Sequence, residues 1–132
     1  MSVWLEHDVP GRVLDVIDAV PVNGQAHAFG RPYITAYQLA IALDAIHPEI
    51  RQALALPLGG VGIGDQHSFA QYLANQLSAH IRGDPSHFPV EGAFLSNQHV
   101  EAMSFDGPDG PMPASFLENG ADLSMFRRRA GA

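Results

Sequence analysis

The sequence predicts a helix-rich α+β fold, one compact domain spanning residues 1–132 around a central core helix at about 36–46. Three observations carry that expectation. Ala36 to Ile46 is apolar on nearly every side and opens on a capping signal. The stretch from about 67 to 82 repeats large apolar residues every four positions. The segments after it are short and alternating, which suits brief strands. Charged residues are 16% of the chain and apolar ones 46%, a balance that favours a packed core over disorder.

Taken in order, Asp8-Val9-Pro10 reads as a helix start, a capping side chain followed by proline in the first turn. Val13, Leu14, Ile17 and Val20 continue it at helical spacing until Pro21 and Asn23-Gly24 end it. Residues 24–34 read as a connector with one short strand. Thr35, followed three residues later by Gln38, matches a capping box for the core helix. His47-Pro48 interrupts that helix, and Pro48 to Leu54 restarts as a short one.

Gly59 to Gly64 lies in a glycine-rich loop before the second amphipathic helix. Phe69, Leu73, Leu77 and Ile81 form the apolar face of that helix, and Gly83-Asp84-Pro85 stops it. Val90 to Leu95 and Met103 to Phe105 read as short strands, with Ser96 capping a brief helix through Glu101 between them. Pro108, Pro111 and Pro113 confine the next segment to an edge or a loop. Asp122 to Arg129 is expected to add a last helical turn or two, within a loosely packed Arg-rich tail at 122–132. Tyr37, Ile41, Leu43, Phe69, Leu73 and Leu77 are the expected core.

Cysteine is absent, so disulfides, thiolate metal sites and a cysteine nucleophile are excluded. Met1 to Asp8 lacks the basic start and apolar run of a secretory leader, and no stretch approaches a membrane span. A cytoplasmic protein without membrane contact is expected. Every basic residue is arginine, a usage that fits a GC-rich bacterial genome and carries no functional weight. Residues 1–126 hold four arginines against fourteen carboxylates, a balance of −10. Such a body disfavours nucleic acid, whose phosphates need basic partners.

The glycine loop precedes a helix, as phosphate-binding loops do, but Gly64-Asp65-Gln66 puts a carboxylate where an anion would sit, and the lysine of a Walker loop is missing. Asp65 and His67 look like a chelating pair or the acid and base of a small cleft enzyme. Yet no two histidines lie three or four residues apart, and no nucleophile elbow occurs around Ser68 or Ser96. No catalytic residue, metal ligand or cofactor is therefore assigned.

The helix at 67–82 carries the one specific binding signal. Ser68, Gln71, Asn75, Ser78 and Arg82 recur at three- and four-residue steps opposite the apolar face, and no carboxylate occurs between Gln66 and Gly83. Glutamine, asparagine and arginine also read base edges in the major groove. Core helix, short helix, loop, polar-faced helix and strand pair is moreover the order of elements in a winged helix-turn-helix. That likeness is one of element order alone, and the loop at 55–66 is longer than the usual turn. The reading preferred from sequence is a non-catalytic binding or regulatory module acting through a protein partner or self-association. Nucleic-acid binding and a small enzyme are the alternatives.

Overall fold

The computed structural model describes residues 2–22, 29–59, 68–114 and 120–131. Among the described residues, five helices and five strands follow one another as α1 (Val3–Glu6), α2 (Val9–Asp18), β1 (Ile34–Thr35), α3 (Ala36–Ile46), α4 (Pro48–Leu54), α5 (Phe69–Gly83), β2 (Val90–Leu95), β3 (Ser104–Gly107), β4 (Gly110–Pro113) and β5 (Leu123–Arg128). The fold is α+β. Helices α2, α3 and α5 pack on a three-stranded antiparallel sheet of order β1-β5-β2, while β3 and β4 form a separate hairpin.

The helix starts follow their caps. Asp8 caps α2 from the left-handed region, accepting a hydrogen bond from the Gly11 N–H. At α3 the capping box is complete: the Thr35 hydroxyl accepts from the Gln38 N–H at 3.1 Å, and the Gln38 side chain accepts from the Thr35 N–H at 2.7 Å. Ser68 caps α5 through the Gln71 N–H at 3.0 Å.

One buried cluster joins the layers. Phe69, Leu73 and Leu77 of α5 meet Leu39, Ala40 and Leu43 of α3, Val13 and Ile17 of α2, and Val90 and Phe126 of the sheet. Tyr37 is buried and stacks on Phe105 of the hairpin at 5.4 Å. Ile41 departs from expectation, being only half-buried, and Ile46 is exposed. Helix α3 buries the faces of Ala36, Tyr37, Leu39, Ala40 and Leu43 rather than its whole circumference.

Helix α1 has no periodicity to betray it at four residues; the Ser2 hydroxyl caps it by accepting from the Leu5 N–H, and packing of Trp4 anchors it. Trp4 is buried, stacks on His80 at 5.0 Å and meets Tyr72 edge-on at 6.5 Å. Phe88 also stacks on His80, at 5.4 Å. Burial raises the Tyr72 phenol above its ordinary value.

Two local expectations are corrected. Residues 96–101 form a turn, not a helix, with His99 at φ 61°. Asn97 donates from its side chain to the carbonyls of Gly120 and Ala121, and its N–H bonds Asp122 Oδ1 at 3.0 Å. These bonds draw the backbone out of helical geometry. The supposed loose tail is also wrong, because Leu123 to Arg128 is the central strand of the sheet. Leu123 and Phe126 are buried, and six register pairs join β5 to β2.

The arginines there are individually engaged. Arg127 bonds its register partner Glu91 at 2.6 Å, lies 4.4 Å over the Tyr33 ring and donates to the carbonyls of Phe29 and Arg31. Arg128 reaches Asp18 at the end of α2, and Arg129 donates to the Phe88 carbonyl. Successive strand residues point to opposite faces, so this run divides between the two sides of the sheet.

Glu49, in the first turn of α4, has its carboxyl held below the ordinary glutamate value. The backbone hydrogen bond at the helix start contributes most, burial opposes it, and His47, 3.3 Å away, and then His7 add to the lowering. A group depressed in the folded state adds stability above its unfolded value and loses it as pH falls through the folded one. Carboxyl-detected NMR should place the Glu49 midpoint below that of an unfolded reference peptide, and His47→Ala should move it partway back. A midpoint unmoved by His47→Ala would remove His47 from this account.

Candidate functional site

The stripe read from sequence divides once folded. Ser68 is buried, its hydroxyl engaged as the α5 cap, so it offers nothing to a partner. Gln71 and Ser78 are half-buried, while Asn75 and Arg82 are exposed. The Gln71 side-chain amide donates to Asn75 Oδ1 at 2.9 Å, leaving Gln71 Oε1 to accept and Asn75 Nδ2 to donate. Two adjacent amides thus present one acceptor and one donor, complementary to a peptide bond.

Beside Gln71 the fold opens a groove of about 340 Å³ between the first turns of α3 and α5 and the adjoining ends of β2 and β5. Ala36, Ala70 and Ala74 give it small methyl-lined surfaces. Tyr37 and Phe94 supply aromatic ones. Gln71, Asp122 and Ser124 are the polar groups on it. Phe94 is 71% exposed, a large apolar ring held in solvent near the end of a strand. A groove of this size, with apolar and polar surface in similar measure, accommodates one or two side chains.

Among the described residues Asp122 is the only charged side chain lining the groove, and Asn97 fixes it there. Its position depends on residues from two distant segments, so no local pattern pointed to it or to Phe94. The strand expected over 90–95 did include Phe94, but its spacing gave no reason to set that ring beside α5.

The start of α5 is closed to anions. The Phe69 and Ala70 N–H groups already donate to the carbonyls of Pro57 and Leu58 at 2.8 and 3.1 Å, and the Gln71 N–H to Ser68. Backbone donors that would cradle a phosphate there are therefore occupied. Asp65, His67 and most of the glycine loop lie outside the described residues, as does Gln66. Among the described residues, no three histidine or carboxylate side chains come together to hold a metal ion.

Two other hollows flank the β3-β4 hairpin, one of about 370 Å³ against α3 and one of about 330 Å³ beside Arg51. Arg51 is engaged by Asp44 at 2.9 Å and by the Leu56 carbonyl, so it is not presented to a ligand. Among the described residues no helix is long and apolar enough to cross a membrane. The chain matches no family model, and comparisons with curated proteins and with solved structures returned no match for it.

Proposed function

We propose that this protein is a non-catalytic binding module that holds a segment of a partner protein in the groove beside α5. The observation that carries this reading is the exposed Phe94 ring on a groove of mixed polarity beside the Gln71–Asn75 amide pair. Contiguous apolar surface around a concavity marks sites of association, and Phe94 continues the surface of Ala36, Tyr37, Ala70 and Ala74. The amides add directional bonds to peptide groups.

Nucleic-acid binding is the second reading, favoured by α5 being followed by the antiparallel strands β2 and β5, as in winged helices. Charge weighs against it. Arg31, Arg51, Arg127 and Arg128 are each paired with a carboxylate within the fold, which withdraws them from phosphate.

Selection from a displayed random-peptide library tests the first reading. Enriched peptides should bind the wild-type protein and lose roughly tenfold or more, about 1.4 kcal/mol, against Phe94→Ser. Phe94 is exposed, so that variant should remain folded. Gln71→Ala and Asn75→Ala should each weaken the same peptides. Sedimentation of the free protein separates partner binding from self-association, and a mixed DNA pool at low salt tests the second reading. Tight DNA binding with no groove-dependent peptide would reverse the preference.

A further inference from the structure

Strand register explains the sheet wall of the groove. Phe94 pairs with Ser124 and Gly92 with Phe126, so these four residues share one face of β2 and β5. Phe126 is buried, which makes this the face turned toward the helices. Over Gly92 the sheet is covered by α5, with Ile81 Cδ1 lying 3.5 Å from where a Gly92 Cβ would stand. At Phe94, further along the strand, α5 lines the groove only with Ala70, Gln71 and Ala74, and the ring is left exposed.

A carboxylate shares the groove with that ring. Asp122 lies two residues before Ser124, the register partner of Phe94. The Asn97 N–H donates to Asp122 Oδ1 at 3.0 Å, and the Asn97 side chain donates to the carbonyls of Gly120 and Ala121, which clamps the entry to β5. Among the described residues Asp122 makes no other hydrogen bond or ion pair, so Oδ2 remains an open acceptor.

The groove thus offers an aromatic surface and an uncompensated carboxylate, with no positive side chain among the residues that line it. A cation with an apolar or planar flank is the complement of that pair. Guanidinium suits it better than ammonium, because it is weakly hydrated and can lie on a ring while its N–H edge donates to a carboxylate. An anion would meet Asp122 and find the N–H groups at the start of α5 already bonded. A free amino acid would bring its own carboxylate to a groove with no cation to receive it. A second copy of this chain, at −7, would be repelled as a whole.

We infer that Phe94 and Asp122 form an arginine subsite, in which the guanidinium of an arginine on a partner's segment lies against the Phe94 ring and donates to Asp122 Oδ2. This rests on the partner-binding reading and names the side chain that the groove selects. The Gln71–Asn75 amides are left for the backbone of the same segment.

Acetylated, amidated arginine is the simplest probe, followed through the amide spectrum of the intact protein. It should shift the Asp122 and Ser124 amides saturably in the millimolar range, since one ion pair and one exposed cation–π contact each contribute little. Blocked citrulline, which keeps the shape without the charge, should give no saturable shift, and added salt should weaken the arginine response. Asp122→Asn should abolish that response while keeping the oxygen that accepts from Asn97, so the rest of its spectrum should match the parent. Peptides selected from the library should be enriched in arginine, and exchanging it for citrulline should cost about five- to tenfold. That loss should not add to the loss from Asp122→Asn, because both remove the same contact. Phe94→Leu should erase a preference for arginine over lysine.

Additive losses, or selected peptides that depend on Phe94 but carry no arginine, overturn the subsite and leave the partner-binding reading standing. If blocked arginine binds at Asp122 but no peptide depends on Phe94, the partner-binding reading fails, and the assignment of this arginine to a partner fails with it. If neither binds, both are wrong. A dimer that Asp122→Asn dissolves would make the occupant a second copy and overturn the inference.

Discussion

Phe69→Ala should lower the free energy of unfolding by about 3–5 kcal/mol, the range for removing a buried aromatic ring. Phe69 has no exposed surface, opens α5 and stacks on Tyr72 at 6.3 Å. Its loss would leave a cavity between α3 and α5, in a region where Leu39, Leu43 and Leu73 are equally inaccessible. Close-packed neighbours relax only partly, so lost contact adds to lost hydrophobic transfer. Leu73→Ala, one turn further along, should cost about 2–5 kcal/mol. A typical domain is stable by about 5–15 kcal/mol, so either variant should show a large shift of its urea midpoint. A midpoint within error of the parent would mean that α5 is not packed as described.

Arg127→Met should cost about 1.5–3 kcal/mol, the range for hydrogen bonds to charged groups, despite being a change in a run of surface-prone residues. The side chains of Arg127 and Glu91 are 21% and 27% exposed, so their ion pair is largely shielded from water. Removing the guanidinium strands the Glu91 carboxylate and takes a donor from the carbonyls of Phe29 and Arg31. Arg127→Lys should recover only part of the loss, since one ammonium cannot reproduce the planar fork or its stacking on Tyr33. A double-mutant cycle with Glu91→Gln isolates the pair, and coupling below about 0.5 kcal/mol would show that it contributes no more than an exposed ion pair.

Local chemistry was legible and long-range pairing was not. Thr35 and Gln38 identified the start of α3, and Phe69, Leu73 and Leu77 identified the buried face of α5, because caps and helical spacing are properties of a few consecutive residues. The strand at Leu123 to Arg128 was hidden because the arginine run that closes it and continues into Arg129 dominates its local character. The partners that hold these arginines, Glu91, Asp18 and the Phe88 carbonyl, are all distant in sequence, as is the β2 strand it pairs with.

The polar stripe of α5 was legible in part for the same reason. Gln71 and Asn75 could be seen to share a helix face, and they do bond each other. Ser68 satisfied the stripe's spacing as well as it satisfied a cap, and the cap is the role it plays. The aromatic and acidic surfaces of the groove belong to other elements, so Phe94 and Asp122 could be assigned only once the sheet had placed them.

The central position of β5 also sets an order of events during synthesis. Ile34 pairs with Phe126, and β2 pairs with residues 123–128, so neither β1 nor β2 acquires its neighbour until translation has passed Arg128. Ribosomes add about 5–20 residues each second, and helices form far faster than that, in about a microsecond or less. A growing chain would therefore hold its helical segments together for seconds while Ile34 and Val90, both buried in the finished fold, lack the strand that joins them. Closure of the sheet then becomes a late, high-contact-order step, and a chain interrupted before Leu123 would be left with exposed strand edges and a pronounced tendency to aggregate.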